Sequence, residues 1–187
     1  MEESESLREA CLAAAGLILE PPGEKVGKLV CGFIGKSCEL EVLKREYFSL
    51  FAFPGSADYC PPFEHVLQQA ELQDGEWTFP GPRQEGGDPL RDEFEEIGFD
   101  WERYTANQPT VGGRFSPDHL GLILLCLAAI LGSGGREEPA RAFARKHLAA
   151  IRKFGQMVAA KQGLYAKAVT VAFSDVILLA GKFLQGK

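Results

Sequence analysis

No two cysteines in this sequence stand two residues apart, and the five present, Cys11, Cys31, Cys38, Cys60 and Cys126, make an odd number. A zinc ribbon or a fully paired disulfide framework is thereby excluded, and reduced thiols, most of them within apolar helical patterns, are expected. Histidine is scarcer: His65, His119 and His147 lie far apart along the chain and no H-E-x-x-H occurs. Neither a metal centre nor any other bound cofactor is expected. Positive charge is also short, with 20 Lys and Arg against 26 Asp and Glu, a net charge of −6 and a pI near 5.2. A nucleic-acid partner does not fit that balance, because such proteins gather cations into one face. The first residues, MEESESLREA, lack the basic and apolar regions of a secretory signal, and the longest apolar run, residues 120–131, is shorter than the roughly 20 residues of a membrane span. A cytoplasmic protein without stable membrane insertion is expected. The glycines at 112–113 and 132–135 have no P-loop arrangement around them, and no stretch alternates with period two for long enough to predict a sheet.

What remains is helical. A hydrophobic content of 45% over 187 residues supplies the core of one domain. Ser6-Leu7-Arg8-Glu9 has the form of a capping box, with Leu7, Cys11, Ala14, Leu17 and Ile18 following at helical spacing to about residue 20. Further helices are expected from residue 24 to about 34, at 39–51, 63–68 with Pro62 as the first helical residue, 90–97, 117–131, 137–162 and 164–184. A surface loop at about 74–87 is expected between two helical halves, with Trp77, Phe79 and Trp101 in loops. The fold class is all-α, a single helical bundle. In the long helix Ala140, Phe143, Ala144, His147, Leu148, Ile151, Phe154 and Val158 form one stripe; Arg141, Arg145, Arg152 and Lys153 lie mostly outside it, as a solvated face first and a binding patch second.

Ser116-Pro117-Asp118-His119 precedes the most apolar run. Ser116 is a preferred N-cap, Pro117 suits the first helical position, and Asp118 places a carboxylate near the positive end of the helix dipole. His119 is the exception: a cation there opposes the dipole, so its imidazole should be neutral. Capping alone accounts for most of the motif. A catalytic reading would take Cys60 as nucleophile, His65 as base and Asp118 as orienter, but no nucleophile signature surrounds them.

Three blocks carry a resemblance. Glu46-Tyr47-Phe48-Ser49-Leu50-Phe51 is followed by Pro61-Pro62-Phe63-Glu64-His65-Val66; Phe94-Glu95-Glu96-Ile97-Gly98-Phe99 is followed by Pro117-Asp118-His119-Leu120; and Phe143-Ala144-Arg145-Lys146-His147-Leu148 closes the series. In order and spacing they resemble the TorD/DmsD/NarJ family of cytoplasmic chaperones for molybdenum-cofactor oxidoreductases. The sequence departs from that pattern at Phe115, Ser116, Phe63 and His65.

The resemblance implies an all-helical fold, monomeric or a domain-swapped homodimer, that binds the apo catalytic subunit of a molybdoenzyme and its leader peptide, often of twin-arginine type. It implies no enzymatic activity. A leader that joins guanidinium groups to an apolar segment calls for carboxylates beside an apolar wall. Asp118 and Glu64 are the candidate carboxylates, Tyr47, Leu50, Phe51, Phe63 and Trp101 the candidate wall, with Pro62, His65, Pro117 and His119 on the same peptide-facing edge. Competing readings are a small cysteine/histidine hydrolase, a guanine-nucleotide-binding helical protein, and a structural subunit of an oxidoreductase complex.

Overall fold

The all-α expectation holds in the computed structural model, which describes residues 2–82, 87–104 and 116–186. Eight helices make up the described chain: α1 (Glu2–Leu19), α2 (Glu24–Ile34), α3 (Leu40–Tyr47), α4 (Glu64–Gln68), α5 (Asp88–Ile97), α6 (Leu120–Gly132), α7 (Glu137–Ala159) and α8 (Leu164–Gln185). Helix α1 begins ahead of the expected capping box, so Ser6 lies inside it; Glu2, Glu3 and Glu5 put negative charge in the first turn, where the helix dipole favours it. The third helix leaves α-geometry earlier than expected and runs on as a π-turn, Phe48–Ala52, closed by Phe53 N–H donating to the Phe48 carbonyl at 3.0 Å.

Helix α6 is the centre of the packing. It is apolar on every side and buried on nearly every side, held between α1 and α7. Helix α8 covers α1, α2 and α7. By length and composition α8 could cross a membrane, with a mean hydropathy of 1.5 over its most apolar stretch, yet here Tyr165, Val169, Phe173 and Val176 are turned into the core.

The C-terminal carbonyls of α1 are satisfied from outside the helix. The hydroxyl of Tyr165 donates to the Leu17 carbonyl at 2.8 Å and that of Tyr47 to the Ile18 carbonyl at 3.3 Å, the two rings meeting edge to face at 5.7 Å. Burial holds both phenols above their ordinary pKa, so both remain donors. Glu46, one residue before Tyr47, accepts from the Tyr165 backbone N–H at 2.7 Å and so caps α8 from α3.

Gly121 sets how closely α6 approaches α1. A Cβ at this position would lie 2.4 Å from Leu19 Cγ. Gly121→Ala is therefore expected to cost about 1–3 kcal/mol through overpacking, read as a fall in the urea midpoint with an unchanged slope. An unchanged midpoint would show that Leu19 moves aside freely.

The expected loop at 74–87 begins instead with a β-hairpin. Strands β1 (Glu71–Gln73) and β2 (Glu76–Thr78) pair antiparallel, with Leu72 opposite Trp77. Asp74 at φ 51° and Gly75 at φ 85° form its two-residue turn. Asp-Gly favours this turn because both central residues need positive φ. Residues 83–86 of that loop, and 105–115 between the helices expected at 90–97 and 117–131, lie outside the described residues. Trp77, Phe79 and Trp101, expected as loop aromatics, are half-buried against the core, Trp101 within a 3-10 turn, Trp101–Tyr104.

The stripe on α7 is buried throughout. Its basic face is solvated as expected at Arg145 and Arg152, while Arg141 and Lys153 are half-buried. Arg141 lies over the Phe183 ring at 5.2 Å and donates to the Phe183 carbonyl, while Lys153 donates to the carbonyls of Gln68 and Ala70.

Candidate functional site

Residues 62–65 and 116–120 run side by side. The extended backbone of Phe63 forms an antiparallel bridge with His119, flanked by Leu120 N–H donating to the Pro62 carbonyl at 2.8 Å and Glu64 N–H donating to the Asp118 carbonyl at 3.0 Å. Pro62 accordingly lies ahead of the extended N-cap Phe63 rather than being the first residue of a helix. Its carbonyl serves this pairing, and α4 starts at Glu64.

The short ladder determines where the polar side chains go. Asp118, only 2% exposed, accepts from the His65 backbone N–H at 2.9 Å, meets His65 Nδ1 at 2.5 Å and accepts from the Ser116 hydroxyl. Burial alone would raise the Asp118 carboxyl; the hydrogen bonds from His65 and Ser116 reverse this and hold it below its ordinary value. The expected N-cap is therefore displaced. Ser116, Pro117 and Asp118 form a turn ahead of α6, and His119 itself is the cap, Nδ1 accepting from the Gly121 N–H at 3.1 Å. That role needs an unprotonated nitrogen. Burial supplies it, pushing the imidazole down to about 4 against the opposing pull of Asp118.

Glu64 turns the other way, toward α7. Its Oε1 lies 2.7 Å from His147 Nδ1, in a pair that is almost sealed from solvent. His147 Nε2 is 3.5 Å from Glu93 Oε2 and makes no hydrogen bond, while Glu93 accepts from Lys146 at 2.6 Å. His147 also packs on Phe143 one turn earlier, with ring centroids 4.4 Å apart.

The residues expected on a peptide-facing edge thus fall into two groups. Pro62, Phe63, Glu64, His65, Pro117, Asp118 and His119 are brought together, but as an internal seam whose carboxylates already have partners. Tyr47, Leu50 and Phe51 are core residues beside Tyr165 and Phe154, and Trp101 stands apart against α6. Their burial follows from the helical stripe that Tyr47, Leu50 and Phe51 share.

His147 and Glu93 belong to the seam without having been expected there. A polar residue within an otherwise apolar helical stripe signals a buried partner, and His147 carries that signal. The hydrolase arrangement is half present. His65 meets Asp118, but the Cys60 thiol donates to the Asp58 carbonyl, and burial raises its pKa to about 12, which leaves it a poor nucleophile. Ser116 donates to the carboxylate, so its hydroxyl is not activated by a base. Among the described residues no three His, Cys, Asp or Glu side chains gather to hold a metal ion.

An open feature lies beside the hairpin. A cleft of about 430 Å³ separates β2 from the end of α7, lined by Tyr59, Trp77, Phe79, Met157, Glu76 and Lys161 among others. Residues 69–82 carry Glu71, Asp74 and Glu76 and no cation. Lys161 is turned onto the Ala57 carbonyl at 2.7 Å. The cleft therefore joins aromatic surface to one carboxylate, Glu76, and one ammonium, Lys161. Compared with family models, with curated proteins and with solved structures, the chain gives no match.

Proposed function

We propose that this chain is a chaperone of the TorD/DmsD/NarJ type, which holds the leader peptide and apo-form of a molybdenum-cofactor oxidoreductase subunit in the cytoplasm until the cofactor is inserted. One observation carries the reading: blocks far apart in sequence, 61–66, 117–120 and 143–148, meet in a single buried seam through the Phe63–His119 bridge and the Glu64–His147 pair. Blocks that share a fold's internal contacts are expected to occur together, and this supports the resemblance as one of architecture.

The seam cannot itself receive a leader's arginines without opening, since Asp118 and Glu64 are engaged. The hairpin cleft offers part of what such a peptide needs, an aromatic wall for its apolar segment with the Glu76 carboxylate beside it. The net charge of −6 would speed encounter with a basic segment more than it deepens affinity.

Titration calorimetry with synthetic leaders and apo-subunits of molybdoenzymes encoded beside this protein tests the reading. Binding to the native protein is expected, and Trp77→Ala should weaken leader binding by about 2 kcal/mol, roughly thirtyfold in Kd. Failure of every leader and apo-subunit to bind would overturn the chaperone reading. Binding that ignores Trp77→Ala would keep it and remove the cleft from the interface.

A further inference from the structure

Three of the five thiols are inert by burial: Cys11, Cys60 and Cys126 are each pushed up to about 12. Cys31 and Cys38 differ. Both are half-buried, and both line a groove of about 310 Å³ between α2 and α3 whose walls include Gly27, Leu40 and Leu43. Helix α2 ends at Gly35, which adopts the left-handed conformation at φ 69° and turns the chain back, so that Cys38 returns to the last turn of the helix where Cys31 sits. Cys38 donates to the Lys36 carbonyl at 3.5 Å, and the two thiols are near enough to influence each other's ionisation.

We propose that Cys31 and Cys38 form a reversible dithiol–disulfide couple at the mouth of the α2–α3 groove, with low-molecular-weight disulfides such as glutathione disulfide as its oxidant. Both line one groove, and the turn at Gly35 brings the short connection between them back toward α2, which favours closing a bridge.

The exchange proceeds in two balanced displacements. Cys31 loses its proton to solvent and its sulfur attacks one sulfur of the oxidant, forming a mixed disulfide and releasing one low-molecular-weight thiolate, which takes up a proton. Cys38 then loses its proton and attacks the Cys31 sulfur, closing the protein disulfide and releasing the second thiol. The two electrons lost by the cysteine pair reduce the oxidant to two thiols. Cys38 suits the second role: burial and the Cys31 thiol hold its pKa up, Lys36 opposing, so it stays protonated until a neighbouring sulfur is activated. Glu24, Lys28, Lys36 and Glu46 are the charged groups around the pair. Closing the bridge pins residues 36–38 to α2 and narrows the groove.

The test treats the full-length protein with glutathione disulfide at pH 8, blocks free thiols, and maps the peptides by mass spectrometry. The expected product is a single linked species joining the peptides of Cys31 and Cys38, lighter by two hydrogens and restored by dithiothreitol. Cys38→Ser should stop at the mixed disulfide on Cys31, and Cys31→Ser should react at least several-fold more slowly. Separate glutathione adducts on both cysteines of the native protein, linkage to Cys11, Cys60 or Cys126 in place of the pair, or no reaction at either site would overturn the proposal.

Discussion

Replacing Glu64 by alanine should destabilise the protein by about 3–5 kcal/mol, a large share of the 5–15 kcal/mol that separates most folded domains from their unfolded chains. The cause lies in what the substitution leaves behind. His147 is fully buried and its Nδ1 has Glu64 Oε1 at 2.7 Å; its Nε2 already lacks a hydrogen bond. Without the carboxylate the imidazole would have no strong partner in a site that excludes water, and a buried polar group so stranded costs its full desolvation. Glu64→Leu combined with His147→Leu removes both polar groups and should recover much of the loss, giving a double-mutant coupling of several kcal/mol. Urea denaturation at neutral pH measures all three variants. A loss below about 1 kcal/mol for Glu64→Ala would show that the pair is solvated and that the seam does not depend on it.

Acid should weaken the fold through His119 before most carboxylates begin to titrate. Its imidazole falls from an ordinary 6.5 to about 4 in the folded chain because burial disfavours the cation. Above pH 6.5 neither state binds a proton there and the cap is intact. Between pH 6.5 and about 4 the unfolded chain takes up a proton that the folded chain refuses, so stability falls as pH falls, by about 3 kcal/mol at the lower end. Asp118 adds to this at still lower pH, since its folded carboxyl is held below the ordinary value and its contribution disappears once it is protonated. His119→Asn keeps an acceptor for the Gly121 N–H and removes the titration. Its stability at pH 8 should be lower than that of the native protein, through lost packing against Phe63, but its decline toward pH 4.5 should be distinctly shallower. Parallel pH profiles for the two proteins would rule out His119 as the source.

Both predictions concern residues whose importance was only partly legible. The helices were readable because apolar residues recur at three and four, and α7 shows how far that goes: every position of its expected stripe is buried. The hairpin was missed because its strands are three residues long and largely exposed, too short for alternation to register. Asp74-Gly75 between Leu72 and Trp77 was the available signal. The cap of α6 moved from Ser116 to His119 because Ser116 donates to Asp118, and Asp118 accepts from His65, 53 residues away in the chain. Local capping rules cannot see such a competitor. Sequence spacing likewise separates His65, His119 and His147, whereas the fold places each of them on one seam.

Helix α6 has no polar side, so solvent gives it no reason to prefer one angle of rotation about its own axis over another. Its azimuth is set at one end, by the bare face of Gly121 against Leu19, by His119 closing the first turn, and by the backbone of residues 62–64 clasping 118–120. The helix behaves as a spindle keyed at its head. A change there that freed the key would leave the core just as apolar while letting the spindle turn, and the loss would be seen first in the uniqueness of side-chain packing along α1 and α7, ahead of any loss of helix.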